Sequence, residues 1–423
     1  MNNNELKQLL QANVITEETA EKIRAYYRDK KKSPGFTLVT VFAIFASLLI
    51  GLGIILIIAH NWDELSKGLK VTFAFLPLVA AQSLCIYTLV RMPTCSIAWR
   101  EGSATFLFFS FGACIALVSQ IYHIPGDLGE FVLTWMVFCL PVIYLMNSSV
   151  VSLLYLAGIT YYAADTGYWS ATSDCSLWYW ILLVMVLPHY YYLQKRRPDS
   201  NFTIFHNWAI PLSLTAVLGT LSAGFPELMY IAYMCLFGIF YLSGQSPYFL
   251  STSRRNNGYL ITGALGTVSL LLSLSFEWFW KKLPAANFNT SSLFLSQELL
   301  AVLILSCSAI LLLYRSKSIH KQRIKPLDFA FLAFIVIFLI GMYSMVSMIL
   351  MNIMILFIGM MTIREGVRLN HLGILNYGLL IITALTTCRF FDTDLSFVLR
   401  GILFIAVGVA IFILNTWMLK KRI

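Results

Sequence analysis

The sequence predicts an all-α protein: a polytopic integral membrane helix bundle of about 14 transmembrane helices, N-in and C-in, with a short cytoplasmic helical head. Three observations carry this expectation. Hydrophobic residues make up 59% of the 423 and charged residues only 12%, with mean hydropathy +0.76. A soluble domain carries about 25% charged residues, because its surface must face water. The apolar residues also come in runs near the roughly 20 residues that cross a hydrocarbon core, and in lipid the backbone must satisfy itself within each segment, so the runs read as helices. Lastly, the 30 Lys and Arg lie in the gaps between runs and alternate in density from gap to gap.

Residues 1–35 lack an apolar stretch of the kind that opens a signal peptide and read as an amphipathic cytoplasmic head. Leu6, Leu9 and Leu10 fall at helical spacing. Thr16 then reads as an N-cap, with Glu17 and Glu18 at the positive end of the helix it starts. Lys30, Lys31 and Lys32 close the head at the membrane surface, and Ser33, Pro34 and Gly35 turn the chain into the first run.

The runs read as 37–59, 69–90, 102–122, 131–146, 149–165, 176–193, 203–223, 226–244, 258–279, 294–314, 328–344, 347–363, 371–388 and 396–419. The stretch 328–363 counts as two short helices. Basic residues at 315–325 precede it and Arg364 and Arg368 follow it, and both clusters face the cytoplasm only if the chain crosses an even number of times between them. The segment 36–165 forms an N-terminal membrane domain with the first five spans, and 166–423 a C-terminal one with the other nine.

With the N-terminus inside, only Lys67, Lys70, Lys281, Lys282, Arg389 and Arg400 of the 30 basic residues fall outside. The opposite orientation reverses that bias. The net charge of +10 is then mostly the charge of inner loops. It calls for anionic membrane lipids as partners, not for nucleic acid.

No GxxxxGK[ST], GxGxxG after a strand, GxSxG or HExxH motif occurs. The cysteines show no metal-ligand spacing, so neither a metal nor a cofactor is expected, and catalytic residues stay unknown. What remains are polar residues at span ends expected outside. His60, Asn61 and Asp63 end the first run; Gln120, Tyr122, His123 and Asp127 end the third. Arg389 and Asp392 end the thirteenth, Arg400 opens the fourteenth, and Glu298 opens the tenth. Together they form a candidate outer-face polar pocket, because an ionisable residue at membrane depth is costly unless it serves a function or finds a partner. His60, Asp63, Gln120, Tyr122 and His123 are expected to converge. Arg400 is expected to meet a carboxylate, Asp392 first and Glu298 second. Trp62, Trp169, Trp278, Trp280 and Tyr122 read as an interfacial aromatic belt, and Gly51 and Gly53 as close-packing glycines.

The stretch Leu48 to Lys70, with Gly51, Gly53, Asn61, Trp62 and Asp63, resembles the hallmark of a bacterial membrane family known only as domain of unknown function 2157. The head from Glu5 to Ile23 and the block Gln120 to Asp127 are similar to further parts of that family, so the likeness covers at least the first 150 residues. Arg389 to Asp392, followed by Arg400 and Gly401, resembles the end of longer members. The resemblance implies an integral protein of the bacterial inner membrane and no assigned activity.

Runs eight and nine, with a basic loop and Asn257-Gly258, echo runs twelve and thirteen, with Arg364, Arg368 and Asn376 to Gly378. A parallel duplication of this kind occurs in transporters. Three functions fit: a transporter or flippase of a small or lipid-linked substrate; a structural or regulatory membrane protein of an envelope complex, with a protein partner at the head; and a membrane-embedded enzyme acting at the outer face.

Overall fold

The computed structural model describes residues 12, 14–23, 38–60, 66–91, 96–169, 177–249, 253–283, 293–294, 296–319 and 324–390, and scattered residues from 396 to 416. Among them every regular element is a helix. A short helix covers 17–23 of the head, where Lys22 pairs with Glu18 one turn back at 2.7 Å.

The first five long helices are α1 (Leu38–His60), α2 (Lys67–Val90), α3 (Ile97–Tyr122), α4 (Leu128–Leu145) and α5 (Ser149–Ala164). Then come α6 (Leu177–Arg196), α7 (Asn201–Leu218), α8 (Pro226–Ser243), α9 (Gly258–Ser273) and the short α10 (Glu277–Lys282). The series ends with α11 (Gln297–Tyr314), α12 (Ala330–Gly341), α13 (Val346–Arg368) and α14 (Leu372–Phe390). Each of the first thirteen apolar runs therefore coincides with a helix. Among the described residues, eight helices are long and apolar enough to cross a membrane: α2, α3, α4, α7, α8, α11, α13 and α14. Part of α1, α9 and the α12 region are shorter apolar helices.

Local chemistry sets the ends. Ser66, Ser96, Asp127, Asn257 and Ser296 each accept a hydrogen bond from the backbone N–H three residues on, which caps α2, α3, α4, α9 and α11. His123, Asn147 and Asn370 adopt positive φ (51°, 46° and 50°) just past α3, α4 and α13. A left-handed residue there stops a helix and lets its last carbonyls be paired. Pro77, Pro141, Pro188 and Pro211 lie inside helices, which neighbouring helices make tolerable in a membrane protein.

The ninth run differs most from expectation. Helix α9 stops at Ser273, and after a turn at 274–276 the chain restarts as α10. Trp280, expected in the interfacial belt, is fully buried and donates its indole N–H to Leu274 O at 2.8 Å. The turn folds the ring back under its own helix end. Trp169, Trp278 and Tyr122 are exposed.

The chain divides into two compact units, residues 1–159 with 181–205, and residues 160–180 with 206–423. In the first, α3 packs against α1, α2 and α4. In the second, α8 is central: twelve of its eighteen residues are buried, and α9, α11 and α12 pack around it. Close packing, not water exclusion, drives helix association in lipid, and small residues permit it. Gly244 and Gly263 bring the α8 and α9 backbones together, and Gly366 and Gly378 do the same for α13 and α14. Among the described residues, nothing lies within 4 Å of where a Cβ on Gly53, expected to pack closely, would stand.

Candidate functional site

Four carboxylates are buried among the described residues: Glu365 lies near the end of α13, and the other three, Glu101, Glu298 and Asp328, are each spent on a helix end. In the first unit, Glu101 lies near the start of α3 and is fully buried. It accepts from Ser149 N and Val150 N, both at 3.1 Å, and from the Ser148 hydroxyl. Those N–H groups open α5 and have no partner within it, so an anion there satisfies both the donors and the helix dipole. Arg100 stands 3.9 Å from the same carboxylate.

In the second unit, Glu298 opens α11 and is buried. One oxygen, Oε1, accepts from Ala223 N and Gly224 N at 2.7 Å and from Phe225 N at 2.9 Å. Three consecutive N–H groups form an anion-holding nest, here filled by the protein's own carboxylate in front of α8. Asp328, also fully buried, accepts from Gln245 Nε2 and Lys325 N, both at 2.7 Å, and pairs with Lys317. It ties the end of α8 and the loop after α11 to the start of α12.

Of the residues expected in an outer polar pocket, Gln120, Tyr122, His123 and Asp127 share one exposed turn between α3 and α4. His123 is its left-handed residue, Asp127 caps α4, and Lys67 lies 5.6 Å from the Tyr122 ring centroid. Arg389 ends α14, donates to Ser275 Oγ at 3.2 Å and stacks over Phe276 at 4.7 Å. Glu298 lies on the 223–225 turn described above. His60 is the last residue of α1, with its side chain outside the described atoms. Asn61, Asp63, Asp392 and Arg400 lie outside the described residues, so the convergence on His60 and Asp63 and the partner of Arg400 remain sequence expectations. Among the described residues no three His, Cys, Asp or Glu converge as metal ligands would.

Two cavities stand out that the sequence reading did not single out. The first unit has one of about 410 Å³ between α1, α2 and the start of α3, with Ala43, Leu84 and Trp99 in its wall. The second unit has one of about 510 Å³ between α8 and α9, walled by Tyr230, Tyr233, Ser222, Ser269 and Ser273 on an apolar floor. Tyr233 donates to Thr215 O at 3.0 Å and Ser273 to Ser269 O at 2.9 Å. The hydroxyls of Ser222, Ser269 and Tyr230 make no hydrogen bond among the described residues. The sequence signal for this cleft is faint: serines at α9 positions 269 and 273 share a helix face, but serine is ordinary in such helices.

Residues 7–152 match the family model described as predicted membrane protein, domain of unknown function 2157. The match holds the head, α1 to α4, the Glu101 clamp's donors and the 410 Å³ cavity. The resemblance read from the glycine pair, the Asn-Trp-Asp corner and the Gln120 block is thus shown over these residues. The 510 Å³ cleft and the Glu298 and Asp328 clamps lie in the sequence beyond it. No curated protein and no solved structure matches the chain. The chain is thus a helical membrane protein whose first third is similar to this family, and the family's description names no activity.

Proposed function

We propose that the protein is a transporter or flippase of a small or lipid-linked substrate in the bacterial inner membrane, with both termini cytoplasmic. One observation carries this reading. The 510 Å³ cleft between α8 and α9 offers unspent hydroxyls in an otherwise apolar helical body, and its volume falls within the roughly 300–1,000 Å³ of small-molecule sites. By the charge pattern it opens toward the outer leaflet. A solute with a polar group and an apolar part suits such walls. Three of the four buried carboxylates do not serve as coupling groups in this reading, because Glu101, Glu298 and Asp328 are committed to helix ends.

A structural or regulatory role is the second reading, favoured by those same three clamps, with the head as the place for a protein partner. The outer-face enzyme has no described feature in its favour, since His123 serves as a helix stop. Reconstitution separates the readings. Purified protein in liposomes should speed the transbilayer passage of a fluorescent glycolipid, followed by bleaching of the outer leaflet. A rate equal to that of protein-free liposomes, for lipid-linked and free solutes alike, would leave the structural role standing.

A further inference from the structure

The hairpins α8–α9 and α13–α14 share one packing register. A Cβ on Gly244 would lie 2.8 Å from Leu260 Cα, and one on Gly366 would lie 2.7 Å from Leu375 Cα. A Cβ on Gly263 would meet Tyr241 N and lie 2.7 Å from Phe237 O; one on Gly378 would meet Ile363 N and lie 3.0 Å from Gly359 O. One constant offset carries Phe237, Tyr241 and Gly244 onto Gly359, Ile363 and Gly366, and a second carries Leu260 and Gly263 onto Leu375 and Gly378. The second offset also superposes Gly258 on Gly373, Leu265 on Leu380, and Phe276-Glu277 on Phe391-Asp392 in sequence. The hairpins further exchange bulk at one matched pair. Phe237 faces Gly266 in the first, while in the second a Cβ on Gly359 would lie 2.8 Å from the side chain of Ile382 and 3.4 Å from that of Ile381, the counterpart of Gly266.

That exchange decides where space remains. In the first hairpin the bulk comes from α8, so α9 presents Gly266, Ser269 and Ser273 to the cleft. Their counterparts in α14 are Ile381, Ala384 and Cys388, and Ile381 is fully buried. Beside Gly266, where the first hairpin is open, the second holds the buried side chain of Ile381.

We propose that the α8–α9 cleft is a binding site for an uncharged, hydroxyl-bearing group such as a sugar, free or as a lipid headgroup. No charged side chain is among the described residues that line it, and a desolvated ionic ligand needs a counter-charge. Glu227 sits one turn before Tyr230 on α8 and opposes an anion at the mouth. Tyr230 and Tyr233 line the cleft with aromatic rings, which suit the apolar face of a sugar. The unspent hydroxyls of Ser222, Ser269 and Tyr230 both donate and accept, as a polyol does.

This assignment rests on the cleft being the solute site of the proposed transporter, and its test is binding, not transport. The protein is placed in phosphatidylcholine nanodiscs and titrated with monoglucosyl diacylglycerol, methyl glucoside or phosphatidylglycerol, and Tm is followed. A saturable rise with either glucoside is expected; a response to the diacylglycerol form alone identifies a lipid headgroup, and an equal response to methyl glucoside a free sugar. Ser269→Leu, which fills the cleft from an exposed position, should weaken half-saturation by about tenfold or more and leave the unliganded Tm unchanged. Tyr230→Phe serves if that variant does not fold. No saturable response to either glucoside, an equal response to phosphatidylglycerol, or an unchanged midpoint in a folded variant would overturn the assignment. Binding without transport removes the transporter reading alone, whereas transport untouched by Ser269→Leu removes this site alone.

Discussion

Glu298 gathers three backbone donors onto one oxygen, so its removal strands N–H groups and not merely a charge. An unsatisfied donor costs about 1–3 kcal/mol where water cannot reach it, and less for Ala223 and Gly224, which are exposed. Glu298→Ala should therefore lower Tm in detergent clearly, by roughly 2–4 kcal/mol in stability. Glu298→Gln keeps one acceptor oxygen and should lose about half as much. Wild-type melting for both would show that the nest is filled by water equally well. Glu101→Ala should be at least as costly, because Ser148, Ser149 and the acceptor are all buried; thermal unfolding beside Glu101→Gln checks it. Glu298 was legible in the sequence by its depth at a span end. Glu101 and Asp328 were not singled out, because most of their partners are backbone N–H groups or lie in distant loops. A sequence names side chains, and nothing in it marks which turn will present three amides to one oxygen.

At the scale of the helix, apolar run length gave the position of each helix within a few residues, because a run that fits the bilayer has one way to satisfy its backbone. The break between α9 and α10 is hidden in the sequence: 258–276 carries no charged residue, and only the burial of Trp280 makes the turn worthwhile. The glycine register was half visible, as a faint echo between hairpins; the Phe237–Gly266 and Gly359–Ile381 exchange appears only when the helices are seen face to face. It yields a cycle. Phe237→Gly leaves a void and Gly266→Ile overpacks against the Phe237 ring, and each should cost about 1–3 kcal/mol or more. The double variant recreates the pair found in α13–α14 and should recover at least about 1 kcal/mol relative to the sum of the single losses. Strict additivity in thermal unfolding would mean the two hairpins pack alike by chance. Gly53→Ala, with open space around it, is the neutral control and should shift stability by less than about 1 kcal/mol.

At the scale of the whole chain, each of the following long-range polar contacts lies within one unit, and the fourteen-span reading assigns its two partners to the same face. Glu101 meets Ser148, and Gln245 and Lys317 meet Asp328, at ends assigned to the cytoplasm. Glu298 meets the 223–225 turn, and Asn352 and Arg389 meet Ser275, at ends assigned outside. Two crossings separate Glu101 from Ser148, two separate the 223–225 turn from Glu298, and four separate Ser275 from Arg389 in the fourteen-span reading. If one run between such partners failed to cross, they would stand on opposite faces of the bilayer and could not touch. In that reading the first and last spans rest on the charge rule alone, with Lys420, Lys421 and Arg422 after the fourteenth run. A C-terminal alkaline phosphatase fusion, active only in the periplasm, should therefore be silent, and a C-terminal green fluorescent protein bright. Single cysteines, in a background with exposed cysteines replaced, fix the intermediate loops. His123→Cys should react with an impermeant maleimide in intact cells, and His371→Cys only after permeabilisation. Phosphatase activity at the C-terminus with this labelling unchanged would remove one crossing after α13 and leave thirteen. Reversed labelling at both histidines would invert the molecule and place the hydroxyl-lined cleft on the cytoplasmic leaflet.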